Sequence, residues 1–290
     1  MKILILGGNR FFGRHLTDSL LGAKHEITLL NRGQIDDGFG DKIERLRADR
    51  QKPSELAKAV EGQRYDLVFD QICYSASEAQ AACEIFAGKT SRYVVTSSES
   101  VFDAGSMQTE AGFDPLKYRF TMEADPKQNY QEAKRQVEHV FAQARGFSVA
   151  IVRPSLVVGV DDYTKRLTWH LERIRRGQDL FFPDLKAKID VIRSDQAGLA
   201  LKVIGLSKVE GPVNCTAPGA VALEDLVRMF EAATGKKAVL ASNANEDNHS
   251  PYGFARETTM DTSLLQSLGF HADASPTWIR ELVEQSAHGS

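Results

Sequence analysis

The segment NYQEAK sets Tyr130 and Lys134 four residues apart, and the apolar Val137, Phe141 and Ala144 continue a helical period behind them. Residues four apart on a helix share one face. A lysine ammonium beside a phenol favours the phenolate and draws the tyrosine toward the range useful for proton transfer at neutral pH. Two hydroxyls, Ser97 and Ser98, follow the apolar run RYVVT, and either can hydrogen-bond a carbonyl or alcohol oxygen. A third feature stands near the N-terminus: GGNRFFG, comprising Gly7, Gly8, Asn9, Arg10, Phe11, Phe12 and Gly13. It follows the strand-like KILIL and opens onto a stripe of Phe12, Leu16 and Leu20. A strand, a tight glycine turn and a helix bring free backbone N–H groups and the positive end of the helix dipole to one point, where a pyrophosphate can sit. Gly7 permits the turn and Gly13 permits close approach of the helix. The next strand-like run, EITLL, is followed by Asn31 and Arg32, where an NAD-preferring site carries an acidic residue. A guanidinium in that place, Arg32 joined by Arg10, matches the 2'-phosphate of NADP, so NADP is expected over NAD.

These groups need a scaffold. Short aliphatic runs at 2–6, 26–30, 66–69, 92–96 and 147–153, with a shorter one near 45–47, alternate with helix-period segments. They read as buried parallel strands with helical crossovers, an α/β doubly wound sheet of Rossmann type. After residue 153 the rhythm loosens. The expected division is a dinucleotide-binding region over 1–158, to which a strand and helix within 188–207 return, and a small α/β cap over 159–290. PVNCTA, a helix from Leu223, KAVLAS and a helix from Trp278 are assigned to that cap.

The order of the motifs adds to each of them. A glycine turn after the first strand, serines after the fifth and YxxxK on the following helix resemble the extended short-chain dehydrogenase/reductase superfamily, the NAD-dependent epimerase/dehydratase family. The resemblance spans nearly the whole chain: Arg153-Pro154 looks like the element near the nicotinamide, Asp49 and Arg50 like the adenine contact, and MDTSLLQSLGF (260–270) like a C-terminal signature. It implies Tyr130 as acid/base, Lys134 on the nicotinamide ribose, and Ser98 orienting the reacting oxygen, chosen by register against Val101-Phe102, with Ser97 as the fallback. It also implies a homodimer paired through helices near 77–87 and 129–144. The departures are Arg10 in place of the middle glycine and a long interval between Ser98 and Tyr130.

Residue 99 bears on the reaction. Sugar dehydratases of that family follow the hydroxyl residue with an Asp-Glu pair, whereas Glu99 here precedes Ser100. Elimination needs both an acid and a base, so epimerisation or ketone reduction is expected ahead of dehydration. Glu99 is either a substrate contact or an exposed loop carboxylate. Ser155 is a further substrate-side candidate, and in the basic stretch 165–176 Arg166 and His170, four apart, either face a pocket for an anionic substrate or belong to a solvated helix face. The rival class is a noncatalytic dinucleotide sensor or RNA-associated protein.

Across 290 residues the 36 Lys and Arg against 39 Asp and Glu give a net charge of -3, without the whole-chain basicity of a nucleic-acid binder. Three cysteines without a CxxC pair offer neither a disulfide framework nor a zinc site, and no histidine has metal-ligand spacing. No apolar run approaches the ~18 residues of a membrane span. The expected partner is a small-molecule substrate, not nucleic acid or membrane, and the expected setting is the cytoplasm.

Overall fold

Seven short strands build the central sheet: β1 Lys2–Leu6, β2 Glu26–Asn31, β3 Glu44–Arg47, β4 Tyr65–Asp70, β5 Thr90–Thr96, β6 Ser148–Pro154 and β7 Gly211–Cys215. All pair in parallel in the order β7-β6-β5-β4-β1-β2-β3. The order reverses between β4 and β1, and the crevice at the carboxyl ends of these strands is where such sheets take ligands. The structure is a computed structural model and describes residues 1–255 and 257–288.

Alternation along each strand feeds two cores. Ile3, Ile5, Leu67, Phe69 and Val94 face one side, where they meet Leu16 and Leu20 of α1 (Phe11–Gly22) and Leu201 and Ile204 of α6 (Ser194–Leu206). Leu4, Leu6, Val68 and Val95 face the other, against α2 (Pro53–Ala59), α3 (Ala76–Phe86) and α4 (Tyr130–Ala142). Each such fully buried aliphatic side chain contributes roughly 1.5–3 kcal/mol. The α1 and α6 helices touch at Gly198, where a Cβ would lie 2.7 Å from the Leu16 nitrogen.

The second lobe packs α5 (Arg166–Arg176), α7 (Leu223–Thr234) and α9 (Ser275–His288) around Leu171, Ile174, Phe230, Tyr252 and Val283. Its small sheet joins 188–189 and 221–222 to 258–260 and to 105–108, so the long interval before Tyr130 is tied into the cap. Two expectations change here. PVNCTA is not a cap strand: β7 lies on the edge of the central sheet, with Val213 opposite Val152. Residues 191–193 do form the expected strand before α6, but pair with 156–158 rather than with the central sheet. A short apolar run reads alike in either place, and only the available partner decides.

One buried ion pair bolts α4 to the sheet. Arg153 on β6 and Glu138 on α4 both have no solvent exposure, and Nη2 donates to Oε2 at 2.6 Å while Nε donates to Oε1 at 2.9 Å. Nη1 donates to the Glu110 carbonyl at 2.9 Å, and Nη2 also donates to the Phe113 carbonyl at 2.8 Å. On the outward side of α4, Gln136 Nε2 donates to the Met122 carbonyl (3.0 Å) and His139 Nδ1 to the Pro115 carbonyl (2.8 Å), so residues of the interval cover that face. No described helix is long and apolar enough to cross a membrane. Because removing one member of a buried pair strands the other's charge, Glu138→Ala is expected to lower the unfolding free energy by about 3–5 kcal/mol in urea titrations. A loss below about 1 kcal/mol, the worth of an exposed pair, would contradict the role assigned to it.

Candidate active site

Two cavities meet at the carboxyl edge of the sheet and share Phe11, Phe12, Gln71, Tyr74 and Tyr163. The first, a groove of about 320 Å³, runs over the ends of β1, β2 and β4 and is lined by residues 7–12, by Asn31 and Arg32, and by Asp49 and Arg50. Gly7 and Gly8 turn the chain with φ of +95° and +77°, and a Cβ on Gly8 would lie 2.7 Å from Ile5. A Cβ on Gly13 would lie 2.2 Å from Gln71 Oε1 and 3.0 Å from the Gly8 Cα, which is why the helix can seat against the turn. Arg10 replaces a glycine without strain because its backbone is extended (φ -158°); the left-handed conformation falls on Phe11 instead (φ +54°). The Arg10 guanidinium lies 3.6 Å from the centre of the Tyr163 ring. The glycine cradle and the N-terminus of α1 fit a dinucleotide diphosphate.

Around the far end of the groove, Asn31 Oδ1 accepts the Gly33 N–H at 2.7 Å, and Arg32 is exposed on the lining. Asp49 lines the same wall. The Arg50 guanidinium, in contrast, turns inward: it is 3 % exposed, pairs with Asp70 Oδ2 at 2.6 Å and donates to the Glu78 carbonyl at 3.0 Å. Its charged end therefore does not reach an adenine, because Asp70 at the end of β4 holds it below the groove floor.

The second cavity, of about 790 Å³, brings together Ser98, Tyr130, Lys134, Glu99, Pro154, Ser155 and Arg166, residues far apart in sequence. Tyr130 is the first residue of α4 and is 42 % exposed. Lys134, one turn on, is 1 % exposed; its Nζ donates to the Cys73 carbonyl at 2.7 Å and the Thr96 carbonyl at 3.0 Å, and lies 5.8 Å from the Tyr130 ring centre. The two serines part company: the Ser97 hydroxyl donates to Glu138 at 2.6 Å, whereas Ser98 Oγ accepts the Ser100 N–H and has no acceptor for its own hydrogen among the described residues. Ser155 Oγ lies 2.7 Å from Thr216 Oγ1.

His170 does not line this chamber. It has no exposure, stacks on Phe230 and Tyr252 with ring centres 4.9 Å away, and its Nε2 meets Ser250 Oγ at 2.7 Å. Burial pushes it down to about 3, so it is a neutral core residue. Arg166 does line the chamber. The shared spacing of four put both on one stretch of helix but did not say which side faced solvent.

Three residues escaped the sequence reading. Tyr74 follows β4 as Ser98 follows β5, and the same strand-end rule finds it; its ring centre is 4.8 Å from Lys134 Nζ. Tyr163 sits in a loop without periodicity. His15 Nε2 lies 3.0 Å from Asp161 Oδ2, and Ser194 Oγ donates to Asp161 Oδ1 at 2.6 Å, which ties that loop to α1 and α6. Asp190, 4 % exposed, accepts the Met260 N–H at 2.7 Å; burial pushes its carboxyl up to about 7.

Comparisons with known proteins give the family and the fold. A family model described as NAD dependent epimerase/dehydratase family matches residues 3–204. A chloroplast stem-loop binding protein of Arabidopsis thaliana is 26% identical over 222 residues, 71% of this chain and 56% of that protein. A 2-alkyl-3-oxoalkanoate reductase of Stenotrophomonas maltophilia is 28% identical over 218 residues, 69% of this chain and 64% of the relative. The matched part of the chain thus spans less than two thirds of either relative. Among solved structures, a UDP-glucuronic acid 4-epimerase from Bacillus cereus, in complex with UDP-glucuronic acid and NAD, superposes with a TM-score of 0.75 at 17% identity, over 100% of this chain and 99% of that one. That likeness shows the fold.

Asp190 generates a prediction with a definite sign. Its folded value of about 7 lies above the ordinary 3.8, so the folded state holds a proton that the unfolded chain releases; stability falls as pH rises from about 4 to 7 and stays lowered above that. Asp190→Asn, which cannot ionise, is expected to melt a few degrees above wild type at pH 9 and level with it near pH 4. Since ~1 kcal/mol moves Tm by about 2–4 °C in a chain of this size, scanning calorimetry resolves the difference. Equal curves at both pH values would refute it.

Proposed function

Because the chain belongs to the NAD dependent epimerase/dehydratase family, we propose that it is a nicotinamide-dependent oxidoreductase or epimerase that exchanges hydride with a secondary alcohol or ketone. The observation that carries this is the meeting of Tyr130, Lys134 and Ser98 in one chamber that opens onto the glycine cradle. The bound nicotinamide supplies or accepts the hydride. Tyr130 moves the matching proton: it gives one to the carbonyl oxygen on reduction and takes one from the hydroxyl on oxidation. Ser98 donates to the same oxygen. Lys134 has three ammonium hydrogens and spends two on backbone carbonyls, which leaves one for a ribose hydroxyl.

Arg32, exposed at the end of β2 with no carboxylate in its place, supports NADP over NAD. Reduction is favoured by the reductase relative, and epimerisation by the sugar-nucleotide enzymes that share the fold; cofactor turnover separates them, since only reduction consumes NADPH in proportion to product. Pairing through α3 and α4 would have to proceed over residues 115–124, which cover α4 within the chain. The stem-loop binding relative favours a second reading, RNA association, which filter binding of a stem-loop RNA tests directly.

Tyr130→Phe is expected to lower kcat by about 10²–10⁴-fold with NADPH affinity retained, as monitored by NADPH absorbance over a ketone panel. Unchanged turnover removes the acid/base assignment. Arg32→Ala is expected to weaken NADPH by about 10- to 100-fold, the worth of one charge-assisted hydrogen bond, with little effect on NADH; equal losses for the two dinucleotides overturn the NADP preference.

A further inference from the structure

Glu99 sits immediately beside the residue assigned to the reacting oxygen, yet the hydride chemistry does not use it. It opens the short turn Glu99–Val101, is 7 % exposed and lines the substrate chamber. Its carboxyl accepts the Leu156 N–H, while Oε2 is enclosed and has no hydrogen-bond partner among the described residues. The charged groups that act on it are Asp190, between the strands 188–189 and 191–193 and itself under the influence of Glu257, and Arg166 of α5, whose own Nε lies 3.0 Å from Thr164 Oγ1 and 4.0 Å from Asp162. Burial pushes the Glu99 carboxyl well up, Asp190 adds to this, and Arg166 opposes it. Oε2 is thus a buried polar atom without a partner, in a carboxyl drawn toward its protonated form. Buried polar atoms are nearly always paired, and one left unpaired in the wall of a ligand chamber is completed by what enters.

We propose that Glu99 is the specificity contact of the chamber, hydrogen-bonding through its unpartnered Oε2 to a hydroxyl that the substrate carries near the reacting carbon, so that hydroxyketones are preferred over simple ketones. The assignment rests on the hydride-transfer reading for the identity of the reacting carbon. A simple ketone would leave the buried polar atom unpaired, and sites built around such a group discriminate strongly against ligands that lack its partner.

The test compares α-hydroxyacetophenone with acetophenone on the full chain loaded with NADPH, in wild type, Glu99→Gln, which keeps a donor but cannot ionise, and Glu99→Leu, which has none. Wild type is expected to favour the hydroxyketone by about 10- to 100-fold in kcat/KM. Glu99→Leu brings that ratio near one, and Glu99→Gln keeps most of it. A ratio that survives in Glu99→Leu, or a wild type without preference, overturns the proposal. Dissociation constants of both ketones, measured calorimetrically on NADPH-loaded Tyr130→Phe with and without Glu99→Leu, keep the two readings apart: the hydride reading fails if Tyr130→Phe turns over normally, while the ratio of the two constants still decides the role of Glu99.

Discussion

The contact on which the site depends is the buried pair of Arg153 and Glu138. Each ion has lost its water, so each must be satisfied in full, and between them they take up a strand, a helix, a serine and two carbonyls of the interval before α4. Fixing Glu138 fixes the rotation of α4. That rotation sets Lys134 beneath the ends of β4 and β5 and Tyr130, one turn earlier, at the mouth of the chamber. The same carboxylate occupies the Ser97 hydroxyl, which leaves Ser98 free to meet a ligand. One electrostatic requirement therefore positions the helix that carries two of the three reactive groups and selects the third.

The two cavities that share the crevice differ in electrostatic character. Along the groove, the α1 N-terminus, Arg10 and Arg32 gather positive potential in a chain of net charge -3, so anion binding is local and geometric rather than a property of the whole surface. Arg50, the other cation on that wall, is neutralised by Asp70. In the chamber wall, burial pushes the Glu99 carboxyl toward its protonated form, and the nearby Asp190, which does not line the chamber, is raised likewise. Tyr163 stands at the boundary, stacked on Arg10 and carried by a loop that Asp161 fastens to His15 and Ser194.

Much of this was legible before any coordinates. The strands read at 2–6, 26–30, 66–69, 92–96 and 147–153 follow from runs of aliphatic residues that must be buried on both faces, whereas the edge strand 44–47, ERLR, is largely exposed and was placed only by the rhythm around it. The glycine cradle and the Tyr130–Lys134 spacing are local, since one turn of chain sets their geometry whatever surrounds it. Ser98 was found by its place after a strand, and Tyr74 could have been found in the same way.

What only the tertiary structure decided are matters of partnership. β7 could have paired in either lobe, and the free edge of β6 took it. Arg166 and His170 are identical in spacing to any exposed helical pair, and the aromatic core of the cap buried His170 while the chamber kept Arg166. Arg50 and Asp70, twenty residues apart, showed no periodicity, and neither did Glu99 and Asp190. Sequence fixes what each segment can form and which reactive groups it carries, because backbone geometry repeats over a few residues. The protonation state and direction of a buried charge depend on neighbours brought from elsewhere in the chain, and those are set only when the fold closes.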